Sequence, residues 1–359
     1  MGVLIFFIMI VVLIVGHEFG HLLAAKRAGM EVPEFGIGFP PKLWSFVRGA
    51  TEYSINALPF GGFVRITGEN GDADHPNAFS QKTKIAQLGV LAAGPGANIV
   101  IAFIAFWIAF MVGLPTVVDD AGPQGVTDAR VVVTQVLPNS PAAEGGVTVG
   151  DSVLSILSSG ITHEIERPSD ILDALSADEP VTLTLEKSGV RREVELTPRA
   201  GIISDAPDTK ALGVGTMLLG LASYDVFTSF GKAFIATING LWQIVLGFTS
   251  LIAGAFTLSA SLEDVSGPVG IASLAGDAVT FGIGQVLSFA AIISLNLAVL
   301  NLLPFPALDG GRIVMVVYEA LRGRAIRQVT ANLINSVGFV LLIGLMLVVT
   351  WNDVVRLVS

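Results

Sequence analysis

His17, Glu18 and His21 form the pattern His-Glu-Phe-Gly-His inside an otherwise apolar stretch that begins at Met1. On a helix the i, i+4 spacing puts both imidazoles on one face, where they can grip a single zinc ion. Glu18, one residue on from His17, can then act as general base on a water that the metal activates. The same pattern also arises by chance on the solvated helix faces of soluble chains. A hydrophobic segment offers no such face. Two histidines and a carboxylate are costly there, so the metal reading is the stronger one.

Catalytic zinc usually takes three protein ligands. His75 and His163 lie in polar segments outside the apolar runs and are poor candidates. Asp309 is better placed, at the end of an apolar helix broken by Pro304 and Pro306, and just before Gly310 and Gly311. An ordinary helix-terminal aspartate is the alternative. In a second apolar run, Ala93 to Asn98 reads Ala-Gly-Pro-Gly-Ala-Asn and sets an amide at membrane depth among small residues. Asn98 there either seeks a partner across a close helix contact or sits satisfied beside a kink.

Composition describes the elements that must position these residues. The chain is 52% hydrophobic and 14% charged, with a mean hydropathy of +0.72, which predicts a multi-pass membrane protein. The net charge of −10 is uneven, with 17 Asp/Glu against 8 Lys/Arg between Pro115 and Lys232. An acidic soluble block is expected there, and a nucleic-acid partner is excluded. With no cysteine, disulfides and thiolate metal sites are excluded too.

Residues 1–28 are expected to form the first transmembrane helix, a retained span because no basic stretch precedes its apolar run. Residues 29–83, punctuated by Gly and Pro, predict a small membrane-associated β-sheet on the cytoplasmic side, with strands at Thr51–Ile55 and Phe63–Thr67. Residues 84–115 form the second span. The β-rich block at 122–200 carries Asn139-Ser140-Pro141 to Val147 and then Gly150-Asp151, a string that resembles the signature of bacterial PDZ domains. Such a domain binds an extended peptide at a sheet edge, or serves here only as a spacer or gate. Residues 279–312 and 331–351 are the third and fourth spans.

Residues 224–278 are ambiguous. Hydropathy favours a crossing between Lys232 and Glu263, but Thr237, Asn239, Gln243, Thr249, Ser250, Thr257, Ser259 and Ser261 make the segment wetter than the rest. The pentad lies near the exit end of the first span, and Asp309 at the exit end of its own. Both spans must therefore run in the same direction, which requires 224–278 to be interfacial or re-entrant rather than spanning. The positive-inside rule agrees. The loop after the first span carries Lys26, Arg27, Lys42, Arg48, Arg65, Lys82 and Lys84, and the loop after Asp309 adds Arg312, Arg322, Arg324 and Arg327. Four spans are expected, with both termini and the acidic block outside and the site toward the cytoplasm.

The motifs HEFGH, GPGAN, SGPVG and NLLPFPALDGGR, in this order around a PDZ-like block, resemble the site-2 proteases, and within them the RseP branch of regulated intramembrane zinc metalloproteases. The resemblance covers nearly the whole chain. It implies zinc held by His17, His21 and Asp309, with Glu18 as catalytic base and Asn98 and Asn301 handling substrate. It implies a bacterial cytoplasmic (inner) membrane location. Its implied substrates are single-span membrane proteins, such as anti-sigma factors, already trimmed outside the membrane by another protease. RseP-type enzymes of many Gram-negative bacteria carry two tandem PDZ domains, whereas 122–200 holds one, so a size filter built from a pair is in doubt. Two other classes compete. A scaffold with a structural metal would not need Glu18, and a transporter would show internal repeats and more spans.

Overall fold

The computed structural model describes residues 2–69, 75–118, 126–175, 179–187, 189–202, 210–257 and 267–358. Helix α1 (Gly2–Arg27) is a long run free of proline, and it ends in Lys26 and Arg27, where cations suit the helix dipole. Gly29, at φ +65°, takes the chain out of it. Strands β1 (Glu34–Arg48) and β2 (Thr51–Arg65) follow as one two-stranded sheet. It is folded back so that Glu34–Ile37 pairs on one side with Glu52–Ile55 and on the other with Gly62–Arg65. The expected sheet is present, with longer strands than the sequence suggests. Gly36, Gly38, Pro40 and Pro41 hide β1 from a propensity reading but lie inside it.

Helix α2 (Lys84–Val112) contains Pro95 and leads through Gly113 into β3 (Leu114–Val117). Next come β4 (Val126–Val136), α3 (Pro141–Glu144), β5 (Ser152–Ser158), β6 (Ile161–Glu164) and α4 (Pro168–Ala174). They are followed by β7 (Val181–Lys187), β8 (Val190–Leu196) and β9 (Val214–Ala222). The remainder is helical: α5 (Val226–Thr257), α6 (Pro268–Thr280), α7 (Ile283–Leu302), α8 (Asp309–Arg322) and α9 (Gln328–Val358).

The chain divides into two compact units. One comprises Ile108–Phe230 with Asp277–Leu287. Its sheet runs β3-β9-β4-β5-β7-β8, with β6 paired to β5, over a core that includes Val131, Val133, Ile156, Leu183 and Leu185. Fully buried Asp151, from the Gly-Asp pair, accepts from Thr148 N–H at 2.7 Å and Arg192 Nη2 at 2.6 Å. The sheet is wider than 122–200, since it takes in Leu114–Val117 and Val214–Ala222. β9 is apolar and glycine-punctuated without clean alternation, so its sequence gives no strand period. Residues 122–125, at the expected start of this domain, lie outside the described residues.

The other unit comprises Met1–Trp107, Gly231–Gly276 and Ser288–Ser359. Its core (Leu22, Ala25, Phe35, Ile66, Val90, Leu91 and Val316) joins α1, the β1–β2 sheet, α2 and α8. Helix α6 is tied at both ends. Asp353 of α9 accepts from the N–H groups of Gly267 and Gly270, at 3.0 and 2.9 Å. A Cβ placed on Gly2 would meet Gly276 Cα at 2.5 Å. Among the described residues, five helices are long and apolar enough to cross a membrane (α1, α2, α5, α7 and α9), with α5 the least apolar. Helix α5 runs unbroken from Val226 to Thr257, within the 224–278 stretch read as interfacial or re-entrant. Ser259, Ser261, Glu263 and Ser266 lie outside the described residues. Asp309 does not end the helix before it. That helix, α7, stops at Leu302, and Asp309 is the first residue of α8, because Pro304 and Pro306 deny the intervening turn its hydrogen bonds.

Candidate metal centre

His17 and His21 lie one turn apart on α1, both buried, with ring centroids 4.8 Å apart at an interplanar angle of 80°. Their Nε2 atoms are 3.2 Å apart. Asp309 Oδ2 sits 3.1 Å from His17 Nε2 and 3.2 Å from His21 Nε2. Residues nearly three hundred positions apart thus meet at one point, and these three are the group among the described residues that could hold a metal ion.

Hydrogen bonds behind the imidazoles fix which nitrogen faces the centre. His21 Nδ1–H donates to Val90 O at 2.8 Å, so its Nε2 carries a lone pair. Asn98, fully buried on α2, places its side-chain amide 3.3 Å from His17 Nδ1. The nearer amide atom is Nδ2, and buried Oδ1 has no donor; with the amide's O and N exchanged, Oδ1 accepts the His17 Nδ1–H, which satisfies both residues and leaves His17 Nε2 unprotonated as well. The backbone carbonyl of Asn98 accepts from Ser294 Oγ at 2.8 Å, which locks this part of α2 against α7. Three electron-pair donors then converge without a proton among them, and buried Asp309 Oδ2 is left with no hydrogen-bond donor. Such a cluster is repulsive unless a cation lies inside it. Tetrahedral zinc at 2.0–2.1 Å from each ligand spaces them roughly 3.3 Å apart, so the observed separations fit.

Glu18 points to a different neighbour. Its Oε2 accepts from Val64 N–H at 3.1 Å, a group on the edge of β2 that no other strand among the described residues pairs. Close packing brings α2 to the histidines: a Cβ on Gly94 would lie 2.3 Å from His21 Nε2, and one on Gly20 would lie 2.3 Å from Ala93 O. The glycines of the Gly-Pro-Gly motif are therefore unequal, because a Cβ on Gly96 meets nothing within 4 Å. Asn301, on the last turn of α7, is partly buried and stands outside the cluster. Sequence reasoning missed Val64, Val90 and Ser294. The first two act through backbone atoms that leave no trace in residue identity, and Ser294 is an ordinary small residue in an apolar helix.

Two imidazoles and a glutamate on one apolar helix, met by a carboxylate from the start of α8, are the parts of a membrane-embedded metallohydrolase. Residues 5–345 match the family description "Peptidase family M50", and the chain belongs to that family, the site-2 proteases. A Clostridium acetobutylicum protein provisionally named a zinc metalloprotease is 33% identical over 96% of this chain and 94% of its own. The zinc metalloprotease RasP of Geobacillus kaustophilus is 30% identical over 98% of this chain and 95% of its own. Among solved structures, the PDZ domain of the SdrC-like protein from Listeria innocua covers 24% of this chain and 92% of its own, at 19% identity and a TM-score of 0.20. The protein is a zinc-dependent protease with several apolar helices, working in a lipid bilayer.

Proposed function

We propose that this protease hydrolyses a peptide bond within or near the transmembrane segment of single-span membrane proteins, with zinc held by His17, His21 and Asp309. The observation that carries this is the convergence of His17 Nε2, His21 Nε2 and Asp309 Oδ2 within 3.2 Å of one another, beside Glu18 on an apolar helix. Zinc bound there supplies Lewis acidity, which makes water a nucleophile near neutral pH and polarises a carbonyl oxygen. Glu18 takes the proton of the attacking water and returns it to the leaving amine. Before substrate arrives, the Val64 N–H holds the Glu18 carboxylate.

A helical substrate hides its carbonyls in i→i−4 bonds and must unwind before attack. The open edge of Gly62–Arg65 accepts the unwound segment as an added strand, placing its carbonyls beside Glu18. We assign Asn98 a positioning role through His17, in place of the direct substrate contact expected from sequence, since it is fully buried. Asn301, near the helix break before Asp309, keeps the substrate-handling role. Anti-sigma factors trimmed outside the membrane fit as substrates. The β-rich unit serves as a single extracytoplasmic PDZ domain.

Helix α6 supports four crossings rather than five. Gly267, at Asp353 of α9, and Gly276, at Gly2 of α1, are nine residues apart, which is roughly 14 Å along a helix. The hydrocarbon core is about 30 Å thick, so the start of α1 and the end of α9 lie on the same side and the number of crossings is even. Helix α5, the least apolar candidate, is the one that lies in the interface. By the basic loops, both termini are outside and the site faces the cytoplasm.

The test is cleavage of a single-span substrate in proteoliposomes by wild type and by Glu18→Gln, with bound zinc measured in both. Cleavage lost while zinc is retained supports the assignment, whereas equal cleavage by the two proteins would overturn the role of Glu18.

A further inference from the structure

A cavity of about 620 Å³ opens between the second half of α8 and the start of α9. Arg322, Arg324 and Arg327 line it on one side, and Val314 and Ile334 give it an apolar wall. Among the described residues none of these three arginines forms an ion pair, whereas Arg312, ten residues earlier, pairs with Glu69. Glu319 is the nearest acid in sequence, but it is engaged elsewhere, by Lys84 Nζ at 2.6 Å and by Ile326 N–H at 2.9 Å. Arg322 is held in place by Tyr318, whose hydroxyl accepts from its Nη1 and whose ring lies 5.5 Å from its Cζ.

All three guanidinium groups are exposed and line one groove, so the groove carries positive potential that favours an anion. The left-handed Gly323 (φ +69°) ends α8 and turns the chain so that arginines on both sides of it face the same groove. The location decides the anion's chemistry. Helix α9, a candidate span, begins at Gln328, so the arginines lie at the headgroup level of a membrane. The apolar wall continues along α9 with exposed Leu333 and Val337, surface suited to acyl chains rather than to water.

We propose that this groove is a binding site for one anionic phospholipid, with its phosphodiester among Arg322, Arg324 and Arg327 and one acyl chain along Val314 and Ile334. Guanidinium groups bind phosphate oxygens bidentately, so Arg contributes more here than a point charge would.

Native mass spectrometry of the full-length protein counts the phospholipids it retains when supplied with phosphatidylglycerol or phosphatidylcholine. One retained phosphatidylglycerol, bound roughly tenfold more tightly than phosphatidylcholine, is expected. The Arg322→Gln/Arg324→Gln/Arg327→Gln variant should lose that preference, the corresponding Lys variant should keep part of it, and Arg27→Gln/Arg48→Gln/Arg65→Gln should keep it whole. Three results would each overturn the site: equal retention of the two lipids by wild type, equal loss in the second Gln variant, or displacement of the lipid by inorganic phosphate at the concentration of competing lipid. If the first Gln variant does not fold, the Lys variant decides, since full retention there reduces the site to diffuse charge.

Discussion

Gly94 sits where α2 passes the two histidines, and the nearest atom to a Cβ built on it is His21 Nε2, at 2.3 Å. Gly94→Ala should therefore displace the candidate ligand set and lower both zinc affinity and cleavage by roughly 10–100-fold. Gly96→Ala, two residues away in open space, should leave both near wild type. Asn98→Ala removes the partner of His17 Nδ1, and chelator competition should show zinc affinity reduced by roughly 10–100-fold. The candidate site was legible at this scale wherever a residue type is expensive in its setting. His17, Glu18 and His21 stand out against an apolar helix, and Asp309 against two prolines and two glycines. The carbonyl of Val90 and the N–H of Val64 were not legible, since every residue carries those groups and only the fold selects one. Nor could spacing alone tell the essential glycine of the pair from the dispensable one.

The elements were read best where one face or one period dominates. Four long apolar runs became helices, while β1 and β9 were missed because proline and glycine interrupt the pattern that marks a strand. Helix α6 depends on a single side chain from another element. Asp353→Ala would leave two N–H groups at its start unpartnered, a cost of about 1–3 kcal/mol, and the melting temperature should fall accordingly. Asp353→Asn keeps one acceptor oxygen and should fall less. In the β-rich unit, Asp170 accepts from the N–H groups of Arg167 and Glu166, and these bonds hold its carboxyl below the usual aspartate pKa. Its contribution is complete above that usual pKa of about 3.9 and is lost as the pH falls through the depressed value. Acid melting curves of the full chain should therefore lose part of their low-pH dependence in Asp170→Asn.

At the scale of the whole molecule, the proposed even number of crossings is open to direct measurement. Reporters fused to the two termini should both report the extracytoplasmic side. Opposite sides would mean that α5 crosses and that the basic loops misreport orientation. The unwinding requirement predicts that a substrate span containing Gly or Pro is cut faster than a poly-Leu span of equal length, by roughly tenfold or more if helix opening limits the rate. Equal rates would show that opening does not limit cleavage.

The distance along the chain between the parts of the metal cluster also sets a clock. Both histidines are made before Asp309, which follows nearly three hundred residues later. At the usual 5–20 residues per second, about 15–60 s pass between them. The anchor of α6 arrives later still, since Asp353 lies beyond Asp309 in the chain. A nascent chain therefore holds two candidate ligands and no centre, so a protease born among membrane proteins stays inert until Asp309 has been made.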